Sequence, residues 1–179
     1  MVVAWLVKKI FILNGAATSG KNTFVDLCKE FANVSHYSYV DYARNVIAPL
    51  CGYDGGKTEK DRDFLSDLND ILIKYYDLPF NDISKQVDNF LKTSDFVFNP
   101  DNKISILFID IREPEAIERA CKTFNALSVL IENNRVEPVV SNHADANIMK
   151  YDYDIVVENN GSLAELRTKA KKFCSLFVE

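Results

Sequence analysis

The chain has 179 residues, 47% of them hydrophobic, and a net charge of −5, which suits one domain with a substantial core and argues against a general nucleic-acid-binding surface. Its four cysteines, Cys28, Cys51, Cys121 and Cys174, form no C-x-x-C pair and fall in apolar stretches, the pattern of reduced core thiols rather than of metal ligands or bridges. The apolar start MVVAWLVKKIFIL is interrupted by Lys8 and Lys9 and is too short to span a bilayer, so the expectation is a single cytoplasmic domain over residues 1–179 with no membrane partner.

In chain order, KIFIL (9–13) reads as a first strand and runs into a glycine loop. Phe24, Leu27, Cys28 and Phe31 then follow helical spacing. HYSYV (36–40) is the second strand candidate, and after it Leu65, Leu68, Leu72 and Tyr75, then Ile83, Val87, Phe90 and Leu91, keep a helical period with no strand between them. This predicts a helical insertion over about 41–95, in which Tyr75 and Tyr76 pack and Lys57, Lys60 and Arg62 lie on a solvated helix start. ISILFI (104–109) is the third strand, Pro114 opens a helix through Ile117, Ala120, Cys121 and Phe124, and LSVLI (127–131) is the fourth strand. YDIVV (153–157) is the fifth, and Ser162 with Glu165 forms a capping box for a last helix that buries Leu166, Ala170, Phe173 and Phe177. Alternating strands and helices imply right-handed crossovers. The fold expected is therefore α/β, three layers around a five-stranded parallel sheet with a helical insertion between strands 2 and 3. Such sheets hold ligands at the carboxyl ends of their strands.

The loop Gly15-Ala16-Ala17-Thr18-Ser19-Gly20-Lys21 satisfies G-x-x-x-x-G-K between a strand and an amphipathic helix, the context of a phosphate-binding loop. Backbone amides can converge there on phosphate oxygens, the helix start adds its positive dipole end, and Lys21 adds a mobile charge. Asn22 stands where a Ser or Thr usually follows the lysine; its amide oxygen suits Mg²⁺ or a metal-bound water, and the Thr23 hydroxyl suits a phosphate oxygen. The competing reading is a glycine turn that merely joins strand to helix. Asp110, at the carboxyl end of ISILFI, is placed either to hold a Mg²⁺ shell or to cap the turn before Pro114. Arg44 and Arg112 are either planar phosphate grips or solvated surface cations.

The run SGKNTF after the first strand resembles the adenylate-kinase-like P-loop nucleoside monophosphate kinases, and phage-type deoxynucleoside monophosphate kinases most of all. VDYARNV is similar to the family's monophosphate-binding helix start, and FIDIREPEAIE to its D-x-R-x-P-x-E segment. YDYDIVVENNGSLAELRTKA is similar to its closing strand, turn and helix. The resemblance spans nearly the whole chain. It implies the three-layer P-loop NTPase fold, ATP and Mg²⁺ as cofactors, a small-molecule nucleotide as substrate and no nucleic-acid partner. Lys21, Asp110, Arg112 and Arg135 are implied as catalytic residues, and Gly15, Ala16, Ala17, Thr18, Ser19, Gly20, Lys21, Asn22, Thr23 and Asn160 as ATP-binding, Asn160 in the turn near the adenine. Asp41, Arg44 and Arg112 fall to the acceptor, and Asn22 and Asp110 to the metal. The lid of such kinases corresponds to a short segment over about 133–150, in which Arg135 stands as its one arginine and the transition-state candidate. His143, Asp145 and Asn147 there read as a small polar motif or as a plain turn. Two other readings stay open: a P-loop kinase of another phosphorylated metabolite, of the dephospho-coenzyme A or phosphomevalonate type, and a non-catalytic nucleotide-binding regulatory protein.

Overall fold

A computed structural model describes residues 7–93, 104–135 and 147–177 of the chain. Five strands, β1 (Val7–Asn14), β2 (Asn33–Ser38), β3 (Ile104–Asp110), β4 (Leu127–Glu132) and β5 (Ile155–Glu158), form one parallel sheet in the order β2-β3-β1-β4-β5. Central β1 is apolar because it is covered on both faces: Phe11, Ile12 and Leu13 are fully buried. The register sets Leu13 opposite Asp110 and Asn14 opposite Leu130.

Side chains alternate across the sheet. Phe11, Leu13, Ile106, Phe108, Val129 and Ile131 share one core with Phe24 and Cys28 of α1 (Lys21–Cys28) and with Leu166, Ala170, Phe173 and Cys174 of the last helix, Leu163–Ser175. Phe173 is the hinge of that core, its ring centroid 4.8 Å from Phe11, 5.4 Å from Phe24 and 6.0 Å from Phe108. The alternate set, Ile10, Ile12, Leu107, Ile109 and Leu130, is buried on the other face, where the helix Pro114–Phe124 packs on β1 and β4 through Ile117 and Ala120. Three layers result, as expected from the sequence.

The chain divides into two compact units, Met1–His36 with Thr93–Glu179, and Tyr37–Lys92. The second contains a π-helical turn at Ala43–Ile47, a 3-10 turn at Ala48–Cys51, and two helices, α2 (Glu59–Tyr76) and α3 (Leu78–Lys92). This is the helical segment between β2 and β3. Thr58 and Asp61 make a capping box at the start of α2, the Thr58 hydroxyl and amide holding the Asp61 carboxyl below its usual range. Leu72, Phe80, Ile83, Val87 and Phe90 are buried at helical spacing. The later helices are α4 (Pro114–Phe124) and α5 (Leu163–Ser175).

Several local expectations shift. β2 starts at Asn33 rather than His36 and is half-buried along most of its length, so no apolar run marks it. α1 stops at Cys28, and Phe31 falls in a turn whose amide donates to the Cys28 carbonyl at 3.0 Å. Tyr75 and Tyr76 are surface residues at 64% and 72% exposure, not packing residues. Cys28 and Cys174 are buried, but Cys51 is exposed and Cys121 only partly covered. Among the described residues no helix is long and apolar enough to cross a membrane.

Candidate functional site

β1 ends at Asn14, and the chain leaves it through six loop residues before α1 begins at Lys21. Three of those residues hold positive φ: Gly15 at 150°, Thr18 at 64° and Gly20 at 97°. A left-handed threonine costs roughly 1–2 kcal/mol, and such strain persists where the surroundings dictate the conformation. The glycines have packing reasons as well. A Cβ on Gly15 would strike the Ile131 carbonyl and come within 2.7 Å of the Ser19 hydroxyl, and one on Gly20 would strike the Asn159 amide nitrogen. The loop is braced from both sides: Ser19 N–H donates to the Ala16 carbonyl at 3.1 Å, and Asn159 Nδ2 donates to the Ser19 carbonyl at 2.9 Å.

α1 opens with no acidic residue in its first turn and no side-chain cap, so its leading amides are not taken by a protein carboxylate. Lys21 Nζ arches back over the loop, donating to the Gly15 carbonyl and, at 3.4 Å, to that of Ala16. The Ser19 hydroxyl is buried with no hydrogen-bond partner, an orphaned donor inside a ring of amides. Alternating backbone handedness, an uncapped helix start, an ammonium and an unmatched hydroxyl together fit a polyphosphate. Asn22 and Thr23 are exposed on the first turn.

β3 ends beside this loop. Asp110 faces Leu13 in the register, and its Oδ1 accepts from His36 Nε2 of β2 at 3.0 Å, with both side chains mostly covered. The imidazole orients the carboxylate and occupies one oxygen, leaving Oδ2 as an acceptor for a hard cation. Among the described residues no cluster of three or more His, Cys, Asp or Glu side chains could hold a metal; a Mg²⁺ carried by phosphates needs only one or two carboxylates. Just past Asp110, the Ile111 amide donates to the Leu13 carbonyl at 3.2 Å and the Arg112 carbonyl accepts from Asn14 Nδ2 at 3.2 Å, while the Arg112 side chain is exposed.

At the carboxyl ends of β4 and β5, the Asn134 amide donates to Asn160 Oδ1 at 2.8 Å. Arg135 and Asn160 line a depression of about 450 Å³ with Gly161, Glu165, Thr168 and Lys169. Glu165 is committed to the Ser162 capping box, whose amide and hydroxyl hold its carboxyl below the usual range, with Lys169 and Arg135 adding smaller pulls. Asn160 thus lies by Arg135 at that depression, and it is the neighbouring Asn159 that touches the glycine loop.

In the helical unit, Asp41 Oδ2 accepts from the Ser38 amide at 2.8 Å and Asp41 Oδ1 from Arg44 NH1 at 3.0 Å. Asp41 therefore ends β2 and orients Arg44 in one step. The structure gathers the glycine loop, Asp110 and Arg112 at one end of the sheet and pairs Arg135 with Asn160; Asp41 and Arg44 form their own pair in the other unit. His143 and Asp145 lie outside the described residues, whereas Asn147 donates to Glu113 Oε2 at 3.3 Å. Sequence reading missed Asn14, His36, Tyr153 and Asn159. A polar residue closing an apolar run, as in FILNG, was the one available signal, and it pointed to Asn14.

No family model matches the chain, and no curated protein does. Among solved structures, the dephospho-CoA kinase from Campylobacter jejuni is similar at 13% identity and TM-score 0.46, covering 95% of this chain and 97% of that one. Shikimate kinase from Aquifex aeolicus is similar at 14% identity and TM-score 0.44, with 95% and 99% covered. The Mycobacterium tuberculosis APS kinase in complex with AMPPNP and APS is similar at 11% identity and TM-score 0.42, with 94% and 98% covered.

Proposed function

We propose that the chain is an ATP- and Mg²⁺-dependent kinase that moves a γ-phosphoryl group to a nucleoside or deoxynucleoside monophosphate. The observation that carries this reading is the loop after β1, with its left-handed residues, its uncapped helix start and the buried, unmatched Ser19 hydroxyl. Phosphoryl transfer asks a protein mainly for positioning and charge neutralisation, and these residues supply both. The amides of Gly15 to Thr23 and the Lys21 ammonium hold the β- and γ-phosphates. Asn22 and Asp110 hold the metal shell, His36 fixing the carboxylate's direction. Mg²⁺, when bound, neutralises phosphate charge as a Lewis acid. Arg112 takes up charge on the transferring group, Asp41 and Arg44 hold the acceptor's phosphate, and Arg135 borders the nucleotide near Asn160. The guanidinium fork suits these roles because it meets phosphate oxygens two at a time.

A coupled ADP-release assay with the four common deoxynucleoside monophosphates, their ribose counterparts and dephospho-coenzyme A tests the reading. Stimulation by at least one nucleoside monophosphate is expected. Stimulation by dephospho-coenzyme A alone would reassign the acceptor, and no stimulation by any of them would leave a nucleotide-binding regulatory protein.

A further inference from the structure

Asn14 ends β1 at 1% exposure, and its side chain bonds to three separate stretches of chain. Oδ1 accepts from the Gly15 amide at 2.8 Å; Nδ2 donates to the Tyr153 hydroxyl at 2.7 Å and to the Arg112 carbonyl at 3.2 Å. The Tyr153 hydroxyl itself donates to the Ile148 carbonyl at 2.9 Å. Burial pushes that hydroxyl up to about 12, so it stays a donor throughout the neutral range. One acceptor and two donors at a single buried position is a demand that an amide meets, while a carboxylate of the same shape accepts only.

The backbone explains why this matters. The last rung described between β3 and β1 at this end is the Ile111 amide on the Leu13 carbonyl. Beyond it Arg112 leaves the ladder, and the Asn14 amide extends the ladder by one residue through a side chain. The same planar group also holds the first amide of the loop. Resting on the reading of that loop as the ATP site and of Arg112 as a phosphate-binding residue, we propose that Asn14 and Tyr153 are positioning residues that fix the Arg112 backbone relative to the phosphate loop. Tyr153 does so by occupying the second Asn14 donor and tying it to Ile148; its ring is held independently by Tyr151, centroids 5.1 Å apart.

The test uses Tyr153→Phe, which keeps the ring and deletes the hydroxyl, and Asn14→Asp, which keeps the shape and deletes both donors. Steady-state turnover, ADP affinity by calorimetry, thermal midpoint and amide exchange of the 13–20 segment are measured for each. Loss of one buried hydrogen bond corresponds to roughly five- to tenfold. The expected result for Tyr153→Phe is therefore a fall in kcat of that size with acceptor and ATP KM nearly unchanged, and faster exchange at Gly15. Asn14→Asp should lose about tenfold more, and the double variant should be no worse than Asn14→Asp, because both act on one node. Wild-type kcat and exchange in Tyr153→Phe, or kcat falling only in proportion to thermal midpoint, would overturn the proposal. If Asn14→Asp does not fold, Tyr153→Phe decides alone. If the wild type transfers phosphate to no acceptor, the kinase reading fails by itself, and Gly15 exchange still decides the node: accelerated exchange in Tyr153→Phe sustains it and unchanged exchange ends it.

Discussion

The two regions proposed to hold phosphate are built on opposite plans. The loop after β1 is fixed from beneath and beside by covered groups: Asn14 on the Gly15 amide, Asn159 on the Ser19 carbonyl, and the Ile131 carbonyl against Gly15. In the Asp41–Arg44 pair, Arg44 lies on the π-helical turn and Asp41 just before it, with side chains 27% (Asp41) and 42% (Arg44) exposed and held by one ion pair and one amide contact. The first plan gives amides that need no rearrangement when charge arrives. The second gives a cation whose aim depends on a partly screened bond, worth about 0–1 kcal/mol at a surface. On the proposed reading, a constant polyphosphate and a variable acceptor call for those two solutions.

Substitutions separate the plans. Lys21→Ala, which removes the ammonium from the rigid loop, should lower kcat/KM by about a thousandfold, measured as ADP release with saturating acceptor; unchanged ATP binding and turnover would move the nucleotide elsewhere. Asp110→Asn should cost about a hundredfold in kcat with a smaller change in ATP affinity, because its carboxylate acts on charge developing during transfer; wild-type turnover would leave Asp110 only as the partner of His36. Arg112→Lys and Arg44→Lys should each cost roughly ten- to a hundredfold in kcat/KM for the acceptor, since a point charge does not reproduce the fork, while ATP affinity stays near wild type. If the comparison holds, Arg44→Lys lies at the low end, because a partly exposed pair is already loosely aimed. Ser162→Ala, which removes no group of either plan, should cost only about 1 kcal/mol of stability through the lost cap of α5, seen as a lower denaturation midpoint.

The sequence was legible where a physical demand repeats along the chain or is met by neighbours in it. Apolar runs located β1, β3 and β4 because those strands are buried, the β-branched run IVV located the more exposed β5, and Ser162 with Glu165 located the start of α5 because a capping box is closed within four residues. The glycine spacing located the loop after β1. β2 was read three residues late because an edge strand with half-buried side chains carries no apolar signature. The exposure of Tyr75, Tyr76 and Cys51 was likewise hidden, since helical period gives spacing without saying which face is covered. Within the site, the braces were illegible for another reason. Asn14 and Tyr153 lie 139 positions apart, His36 and Asp110 74, and Ser19 and Asn159 140; only the sheet order brings them together.

The placement of α5 bears on how the chain is made. Phe173 covers Phe11, Phe24 and Phe108, and Cys174 lies against Cys28, whose thiol that neighbour and burial push upward. The helix that starts at the glycine loop therefore gains its apolar cover from an element that lies 146 positions further along the chain. β1 likewise waits for β3 and β4 before either of its edges is paired. At about 5–20 residues per second, β1 spends seconds with neither edge paired while the chain up to β3 is being made, a stage at which its apolar side chains have no cover.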